Sequence, residues 1–240
     1  RESGKETEHF GRSDGCAECG ARSHDRQGGR FLAFSHGGFM DRTKYGTVVR
    51  TTNRAVIDSM VASGLDWLML DGEHPNVGPA EIAAMVSAVG GRVPCYARVR
   101  TLDAAAIGHA LNAGATGVIV PNVDTVQQAE ESVRCVLGSR WPLARIVVQA
   151  ESVEAVRNIE GIVTVRGIEW VLIGPNDLTR SLGIAGRFDH PAYQESVSVI
   201  ESACRAANIP VGIFGVTPDR VKPFADRGFE WLLTGIDRPA

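Results

Sequence analysis

Residues 64–74, GLDWLMLDGEH, combine a turn, a short apolar run and a group of ionisable side chains. The run from Trp67 to Leu70 is apolar without alternation, which is typical of a parallel strand that is buried on both faces. Asp71, Glu73 and His74 follow this run directly, at the point where such a strand ends. Three ionisable groups at a strand end favour a reactive site over a purely structural turn.

The same rhythm of a short apolar run, a turn and an amphipathic stretch repeats from Tyr45 onward. Strands that alternate with helices predict right-handed βαβ units and a parallel sheet, and eight of them favour closure into a (β/α)₈ barrel. An open, doubly wound sheet is the alternative, but the glycine-rich phosphate-binding motifs of such folds are absent. The eight predicted strands are Gly46–Val49, Trp67–Asp71, Cys95–Val99, Gly117–Pro121, Arg145–Glu151, Trp170–Gly174, Pro210–Phe214 and Trp231–Gly235.

The two ends of the chain differ from this pattern. Residues 1–44 have few apolar positions and are expected to form a polar extension with little core, whereas residues 45–240 form the predicted barrel domain. The chain stops at Ala240, shortly after the eighth predicted strand, so the usual last helix of a barrel is expected to be missing. Thr125 and Gln128 have the spacing of a capping box at the start of the fourth helix.

Composition narrows the class of protein. The chain has 240 residues, of which 44% are hydrophobic and 22% charged, and its formal net charge is −3. A nucleic-acid-binding protein usually carries a basic excess, and no apolar run approaches the roughly 18 residues needed to span a bilayer. The first 30 residues lack the apolar centre of a signal peptide. We therefore expect a cytoplasmic protein that binds neither nucleic acid nor membrane.

Five scattered cysteines indicate reduced thiols rather than a disulfide framework. Cys16 and Cys19 form a C-x-x-C motif, with His24 nearby. A structural zinc ion requires four ligands, and no second pair with suitable spacing follows. A polar tail is therefore the favoured interpretation of this segment.

Further polar residues follow the predicted strands. Arg98 lies in the third strand, Gln149 and Glu151 end the fifth, and Asp177 follows Gly174-Pro-Asn after the sixth. In barrel enzymes the carboxyl ends of the strands converge on one pocket, so these side chains are expected to lie together. An arginine that points into a barrel also requires an anionic partner.

Each of these residues has a structural explanation of its own. Asp177 and Asp124 could each cap a helix, Glu151 could pair with Arg157, and His74 could be an ordinary loop residue. Their occurrence together at strand ends outweighs these explanations. Two carboxylates, Glu151 and Asp177, supply the hard oxygen ligands that Mg²⁺ or Mn²⁺ prefers.

At these residues the chain resembles the class II pyruvate aldolases of the 4-hydroxy-2-oxoheptanedioate aldolase / 2-dehydro-3-deoxyglucarate aldolase (HpcH/HpaI-type) family. The resemblance extends over most of the region between about residues 46 and 235. The matching segments are residues 64–74, Arg98-Val, residues 113–121 (AGATGVIVP), residues 148–152 (VQAES) and residues 173–178 (IGPNDL).

The resemblance implies a barrel that is usually assembled as a hexamer, and a metal held by Glu151 and Asp177. The metal would be Mg²⁺ or Mn²⁺, with Co²⁺ or Zn²⁺ as further possibilities. Arg98 would contact the keto oxygen of a 2-oxo acid. His74, oriented by Asp71, would serve as acid and base. The residues implied to line the substrate site are Gln149, Gly174, Pro175 and Asn176.

The favoured function is a carbon–carbon lyase that cleaves or forms 4-hydroxy-2-oxo acids through a pyruvate enolate. No lysine ends a barrel strand, which disfavours a Schiff-base aldolase. A second interpretation keeps the enolate but joins it to another partner, as in a citrate-synthase-like reaction of oxaloacetate. A third is a barrel that binds an oxo acid without turnover, but such a protein has little need for two metal ligands, an arginine and a histidine.

Overall fold

Eight strands alternate with helices in the computed structural model, which describes residues 43–137, 140–141 and 143–236. All neighbouring strands are parallel, and β1 pairs with β8, so the sheet closes into a barrel in sequence order. The strands are β1 (Lys44–Val49), β2 (Trp67–Asp71), β3 (Cys95–Arg98), β4 (Gly117–Val120), β5 (Arg145–Ala150), β6 (Ile168–Ile173), β7 (Val211–Gly215) and β8 (Trp231–Ile236). The predicted (β/α)₈ architecture is confirmed.

The helices pack around the outside of this barrel. A short helix, α6, follows β6 and precedes the long helix α7, while no helix follows β8 within the described residues. The helices are α1 (Arg54–Ala62), α2 (Pro79–Val89), α3 (Ala104–Asn112), α4 (Val126–Leu137), α5 (Val153–Ile162), α6 (Pro175–Ser181), α7 (Pro191–Ala206) and α8 (Pro218–Asp226). None of the described helices is long and apolar enough to cross a membrane.

Two separate apolar clusters explain why the strands are apolar throughout. Residues such as Leu68 and Leu70 point outward and pack against the helices, whereas Trp67 and Met69 on the same strand point into the barrel. Because successive side chains of a strand alternate between its faces, both faces of each strand must be apolar here. This is why the strands appear in the sequence as continuous runs.

Four aromatic rings fill the amino-terminal end of the barrel. Trp67, Tyr96, Trp170 and Trp231 contact one another, with ring centroids 4.7 to 5.9 Å apart. Trp170 and Trp231 are stacked, and the other pairs meet edge to face. Such geometry adds about 0.5–1.5 kcal/mol per pair beyond the burial of the rings. We call these four residues the aromatic floor.

The aromatic floor requires glycine on two strands, β1 and β7, that neighbour the strands carrying its rings. A Cβ atom added to Gly46 would overlap three atoms of the Trp67 ring, and one added to Gly212 would lie 3.0 Å from the ring of Trp170. Rings of this size fit inside a closed eight-stranded barrel only where other positions are small.

The start of α4 confirms the predicted capping box. The backbone N–H of Gln128 donates to the Thr125 hydroxyl (3.2 Å), and the Gln128 side-chain carbonyl accepts from the backbone N–H of Thr125 (3.0 Å). Asp124 does not cap this helix, as was considered above, because its side chain accepts a hydrogen bond from Ser152 instead.

Two predictions concern residues outside the described ranges. The polar extension lies almost wholly within residues 1–42, and Cys16, Cys19 and His24 belong to the same segment. Both therefore remain predictions. The three cysteines of the described residues, Cys95, Cys135 and Cys204, are free thiols, in agreement with the expectation of reduced cysteines.

Candidate active site at the carboxyl ends of the strands

The polar residues singled out above lie at the carboxyl ends of β2, β3, β5 and β6 or directly after them. In the register of the sheet, Asp71 pairs with Arg98, and Gln149 pairs with Leu172. Parallel strands in register bring these side chains to the same end of the barrel, opposite the aromatic floor.

Asp71 is fully buried and lies between two arginines. Its Oδ1 atom accepts hydrogen bonds from Nε (2.9 Å) and Nη2 (2.6 Å) of Arg98, and its Oδ2 atom accepts one from Nε of Arg50 (2.7 Å). Burial alone would raise the pKa of Asp71. The positive charges of Arg98 and Arg50 outweigh this effect and hold the pKa below its usual value.

Arg98 has a second carboxylate partner. Its Nη1 atom lies 2.6 Å from Oε2 of Glu73. A guanidinium has five N–H donors in a fixed planar arrangement, and the contacts with Asp71 and Glu73 use three of them. Two N–H groups remain for a ligand, and the side chain is held in place by acidic groups on two sides.

His74 lies half-buried in the turn between β2 and α2. Its Nδ1 atom accepts a weak hydrogen bond from the backbone N–H of Asn76 (3.4 Å). Within the described residues no hydrogen bond joins His74 to Asp71, in contrast to the expected orienting contact. Both oxygens of Asp71 are instead bonded to the guanidiniums of Arg50 and Arg98.

Glu151 directly follows β5 and is buried, with 3% of its surface exposed. Its Oε1 atom accepts a hydrogen bond from the backbone N–H of Asn122 (3.0 Å), and its Oε2 atom accepts one from the side-chain amide of Gln149. Asn122 has a φ angle of 52°. This left-handed conformation, which asparagine adopts more readily than most residues, accompanies the hydrogen bond to the carboxylate.

Negative charge accumulates around Glu151. Burial raises its pKa to about 7, and the nearby carboxylates of Asp177 and Glu73 contribute to the rise. Burial also raises the pKa of Glu73, with a further contribution from Asp177. Three acidic groups therefore lie close enough to repel one another, and a cation between them would relieve this repulsion.

Asp177 occupies the first turn of α6, whose N-cap is Gly174 rather than Asp177. Its carboxylate pairs with Arg180 one turn later, and 46% of its side-chain surface is exposed. Burial of Glu151 and exposure of Asp177 give the site a closed inner side and an open outer side.

Gly174 allows the chain to pass directly over the buried acid. A Cβ atom at this position would lie 2.8 Å from Nε2 of Gln149 and 2.9 Å from Cβ of Glu151. Its φ angle of −98° is open to any residue, so space rather than backbone conformation requires glycine here.

The described residues fit a divalent metal that takes only part of its ligands from the protein. No group of three histidine, cysteine, aspartate or glutamate side chains could hold a metal among the described residues. The buried Oε1 atom of Gln149, beside Glu151, has no hydrogen-bond partner in the described structure. Mg²⁺ is typically bound through one or two carboxylates, with water and substrate as its other ligands, and Glu151 and Asp177 suit this requirement.

Sequence reasoning missed two residues of the site and one pairing. These are Arg50 after β1, Glu73 as a partner of Arg98, and Asn122 after β4. Arg50 directly follows the apolar end of β1, so the rule that identified Arg98 and Glu151 could have identified it as well. The backbone contribution of Asn122 has no signal in its side chain.

Comparison with known proteins gives a consistent family. A family model described as HpcH/HpaI aldolase/citrate lyase matches residues 44–239. The chain is 30% identical over 222 residues to a 4-hydroxy-2-oxovalerate aldolase of Rhodococcus jostii (strain RHA1), covering 82% of this chain and 86% of the relative.

Solved structures agree with this finding. An HpcH/HpaI aldolase from Desulfitobacterium hafniense DCB-2 superimposes with a TM-score of 0.76 at 26% identity, covering 82% of this chain and 87% of that chain. The citrate synthase SbnG shares the fold with a TM-score of 0.75 at 23% identity, covering 82% of this chain and 87% of that chain.

Proposed function

Because the chain belongs to the HpcH/HpaI aldolase/citrate lyase family, we propose that it is a divalent-metal-dependent aldolase acting on 4-hydroxy-2-oxo acids. In this proposal it cleaves or forms a carbon–carbon bond through the enolate of pyruvate. The observation that carries the proposal is the buried carboxylate of Glu151, which lies close to the partly exposed carboxylates of Asp177 and Glu73, with Arg98 paired to Glu73.

Glu151 and Asp177 would hold the metal. Asn122 and Gln149 orient the buried carboxylate through its two oxygens, one bond to each. A bound Mg²⁺ or Mn²⁺, or alternatively Co²⁺ or Zn²⁺, would supply Lewis-acid stabilisation of negative charge on the keto oxygen.

Arg98 would stabilise charge on the same oxygen. Its guanidinium is fixed by Asp71 and Glu73, so its remaining N–H donors need no reorganisation when the enolate forms. Gln149, Gly174, Pro175 and Asn176 would line the site for the three-carbon acid. Gly174 keeps this wall close to Glu151 and free of side-chain bulk.

His74 would move the proton. It is half-buried at the same end of the barrel, and imidazole can accept and return a proton near neutral pH. Nδ1 accepts a backbone hydrogen bond, which favours the neutral tautomer with the proton on Nε2, so the ring would act first as a proton donor through Nε2. Asp71 would act here through Arg98 rather than through His74.

The second candidate is a condensing enzyme that uses oxaloacetate or another oxo acid. The similarity to the citrate synthase SbnG favours keeping this reaction as an alternative. It differs from the aldolase proposal in the substrate that supplies the enolate and in the partner that receives it. A barrel that binds an oxo acid without turnover is the third candidate.

We also propose that the protein forms a homo-oligomer, in line with the resemblance noted above. Large apolar side chains are exposed near the link between α4 and β5, namely Leu137, Trp141 and Leu143. Exposed apolar patches of this kind often mark contacts between proteins.

Proton exchange of pyruvate tests the proposed function. Purified protein is incubated with pyruvate and Mg²⁺ or Mn²⁺ in D₂O, and the methyl protons are followed by NMR. We expect exchange that requires the metal and is absent after chelation. A second incubation replaces pyruvate with oxaloacetate. Exchange of the oxaloacetate protons without exchange of the pyruvate protons would favour the condensing enzyme, and no exchange with either acid would leave only the binding protein.

A further inference from the structure

A cavity of about 640 Å³ lies beside the candidate active site, between the segment that joins α6 to α7 and the loop that joins β7 to α8. Its volume falls within the range of about 300–1,000 Å³ that is typical of small-molecule sites. Its apolar wall consists of Phe188, Tyr193, Phe214, Val216, Pro223 and Phe224. We call it the aromatic cavity.

Two elements that line the aromatic cavity also border the site. Pro175 and Asn176 line the cavity and directly follow Gly174, whose backbone passes over Glu151. Phe214, on the strand next to β6, lines the cavity and also packs against the apolar cluster inside the barrel. A ligand extending from the metal site past Gly174 would therefore meet this cavity.

The aromatic wall has a defined geometry. The rings of Phe188 and Tyr193 meet edge to face, with centroids 5.7 Å apart. The guanidinium of Arg220 lies over the Phe188 ring, 5.8 Å from its centroid. These contacts hold Phe188 from two sides, and a planar apolar ligand gains most from rings that are already fixed.

Charge does not select the ligand at the rim. Asp189, Asp219, Arg220 and Arg227 line it, so the formal charges cancel. Arg227 is also paired with Glu201. The lining therefore carries no net charge that would favour an ionic ligand, and the aromatic wall is its most distinctive feature.

We propose that the aromatic cavity binds the acceptor end of the substrate, and that the preferred acceptor is an aldehyde carrying an aromatic ring or an apolar group of similar size. This inference rests on the proposed aldolase function. In the reaction, the enolate carbon of pyruvate attacks the aldehyde carbon and a carbon–carbon bond forms. The electron pair of the carbonyl moves to its oxygen, which takes the proton that pyruvate lost, so no oxidant or reductant is needed.

Binding is tested first, with benzaldehyde as the probe and without metal or pyruvate. Saturation-transfer NMR should detect contact between the aromatic protons of benzaldehyde and the wild-type protein. Phe188→Ala should weaken this signal at least several-fold. Val199→Ala, an exposed position on α7 outside the cavity, is the matched control and should retain it. Equal signals from all three proteins would overturn the inference.

Selectivity is tested next, as the ratio of kcat/KM for benzaldehyde to that for acetaldehyde with pyruvate as donor. Because both rates come from the same variant, a general loss of activity cancels in the ratio. We expect Phe188→Ala to lower the ratio by about tenfold, the effect of losing apolar contact in a substrate pocket. Phe188→Leu should restore part of it, and Val199→Ala should leave it unchanged.

The two proposals fail in different ways. Absence of pyruvate exchange in D₂O, without any aldehyde, would refute the aldolase function and with it the acceptor site. Normal exchange combined with an unchanged ratio in Phe188→Ala would refute the acceptor site alone.

Discussion

Arg98 donates two hydrogen bonds to one oxygen of Asp71, while Arg50 donates to the other. Each oxygen of the carboxylate is thus bonded to a guanidinium, and Arg98 is fixed at the carboxyl ends of the strands. Arg50 and Asp71 lie 21 residues apart, and Asp71 and Arg98 lie 27 apart. The arrangement links the carboxyl ends of three neighbouring strands, β1, β2 and β3.

Asp71→Asn should destabilise the protein. The change leaves two arginines, one of them largely buried, without their shared negative charge. We expect the free energy of unfolding to fall by about 3 kcal/mol, the lower end of the range for breaking a buried ion pair, because Glu73 still pairs with Arg98. Urea denaturation at pH 7 measures this difference.

The same variant tests the pH dependence of this contact. The pKa of Asp71 is held below its usual value of 3.8, so the ion pairs stabilise the folded state above that pH. Their contribution is lost as the pH falls through the lowered pKa, and the gap between wild type and Asp71→Asn should close there. Asp58→Asn, which removes an exposed ion pair with Arg92, is the control and should cost much less at pH 7. A gap that is constant from pH 7 to pH 3 would contradict this account.

Arg50→Lys should lower catalysis while the fold is retained. Lysine keeps the charge but cannot reproduce the Nε contact to Asp71, so Arg98 would lose part of its orientation. We expect kcat for pyruvate exchange to fall roughly tenfold with little change in KM, the lower end of the cost of losing a residue that orients a site ligand. Arg54→Lys, at an exposed arginine of α1, is the matched control. A change in KM alone would instead indicate direct contact with the substrate.

Glu151→Gln and Asp177→Asn should each abolish metal-dependent exchange. Each change removes one of the two carboxylates assigned to the metal, and Mg²⁺ and Mn²⁺ bind carboxylates far better than amides. Electron paramagnetic resonance of Mn²⁺ measures the loss of binding without reference to activity. Glu154→Gln, in the first turn of α5, provides the control. Retention of wild-type Mn²⁺ affinity in either variant would remove that residue from the metal site.

Gly174→Ala should impair the site although alanine can adopt the backbone conformation. The added methyl group would press on Gln149 and Glu151. We expect loss of Mn²⁺ binding and of exchange. Gly108→Ala, in the middle of α3 with open space around it, is the contrasting change and should stabilise the protein by up to about 1 kcal/mol. Full activity in Gly174→Ala would show that the carboxylate can move without consequence.

Much of the fold could be predicted because strands that are buried on both faces appear in the sequence as continuous apolar runs. Trp67–Asp71 was predicted with its observed bounds, and the other strands differ by a few residues at their ends. The capping box of Thr125 and Gln128 was likewise visible, since it depends on residues three apart. Features that depend on spacing within one element are the ones that the sequence reveals.

Partners across the barrel were harder to predict. The sequence placed Asp71 and Arg98 at neighbouring strand ends, but not Arg50 as a competitor for the carboxylate that was expected to orient His74. Asp124 was assigned to a helix cap because nothing in its surroundings pointed to Ser152, 28 residues away. The choice of hydrogen-bond partner among several nearby groups depends on distances and charges, and these are fixed only when the barrel has folded.

The aromatic floor determines the route by which molecules reach the candidate active site. Trp67, Tyr96 and Trp170 close the amino-terminal end of the barrel, so reactants and products must enter and leave at the carboxyl ends of the strands. The loops at the carboxyl ends of the strands can therefore vary in sequence while the aromatic floor continues to stabilise the barrel.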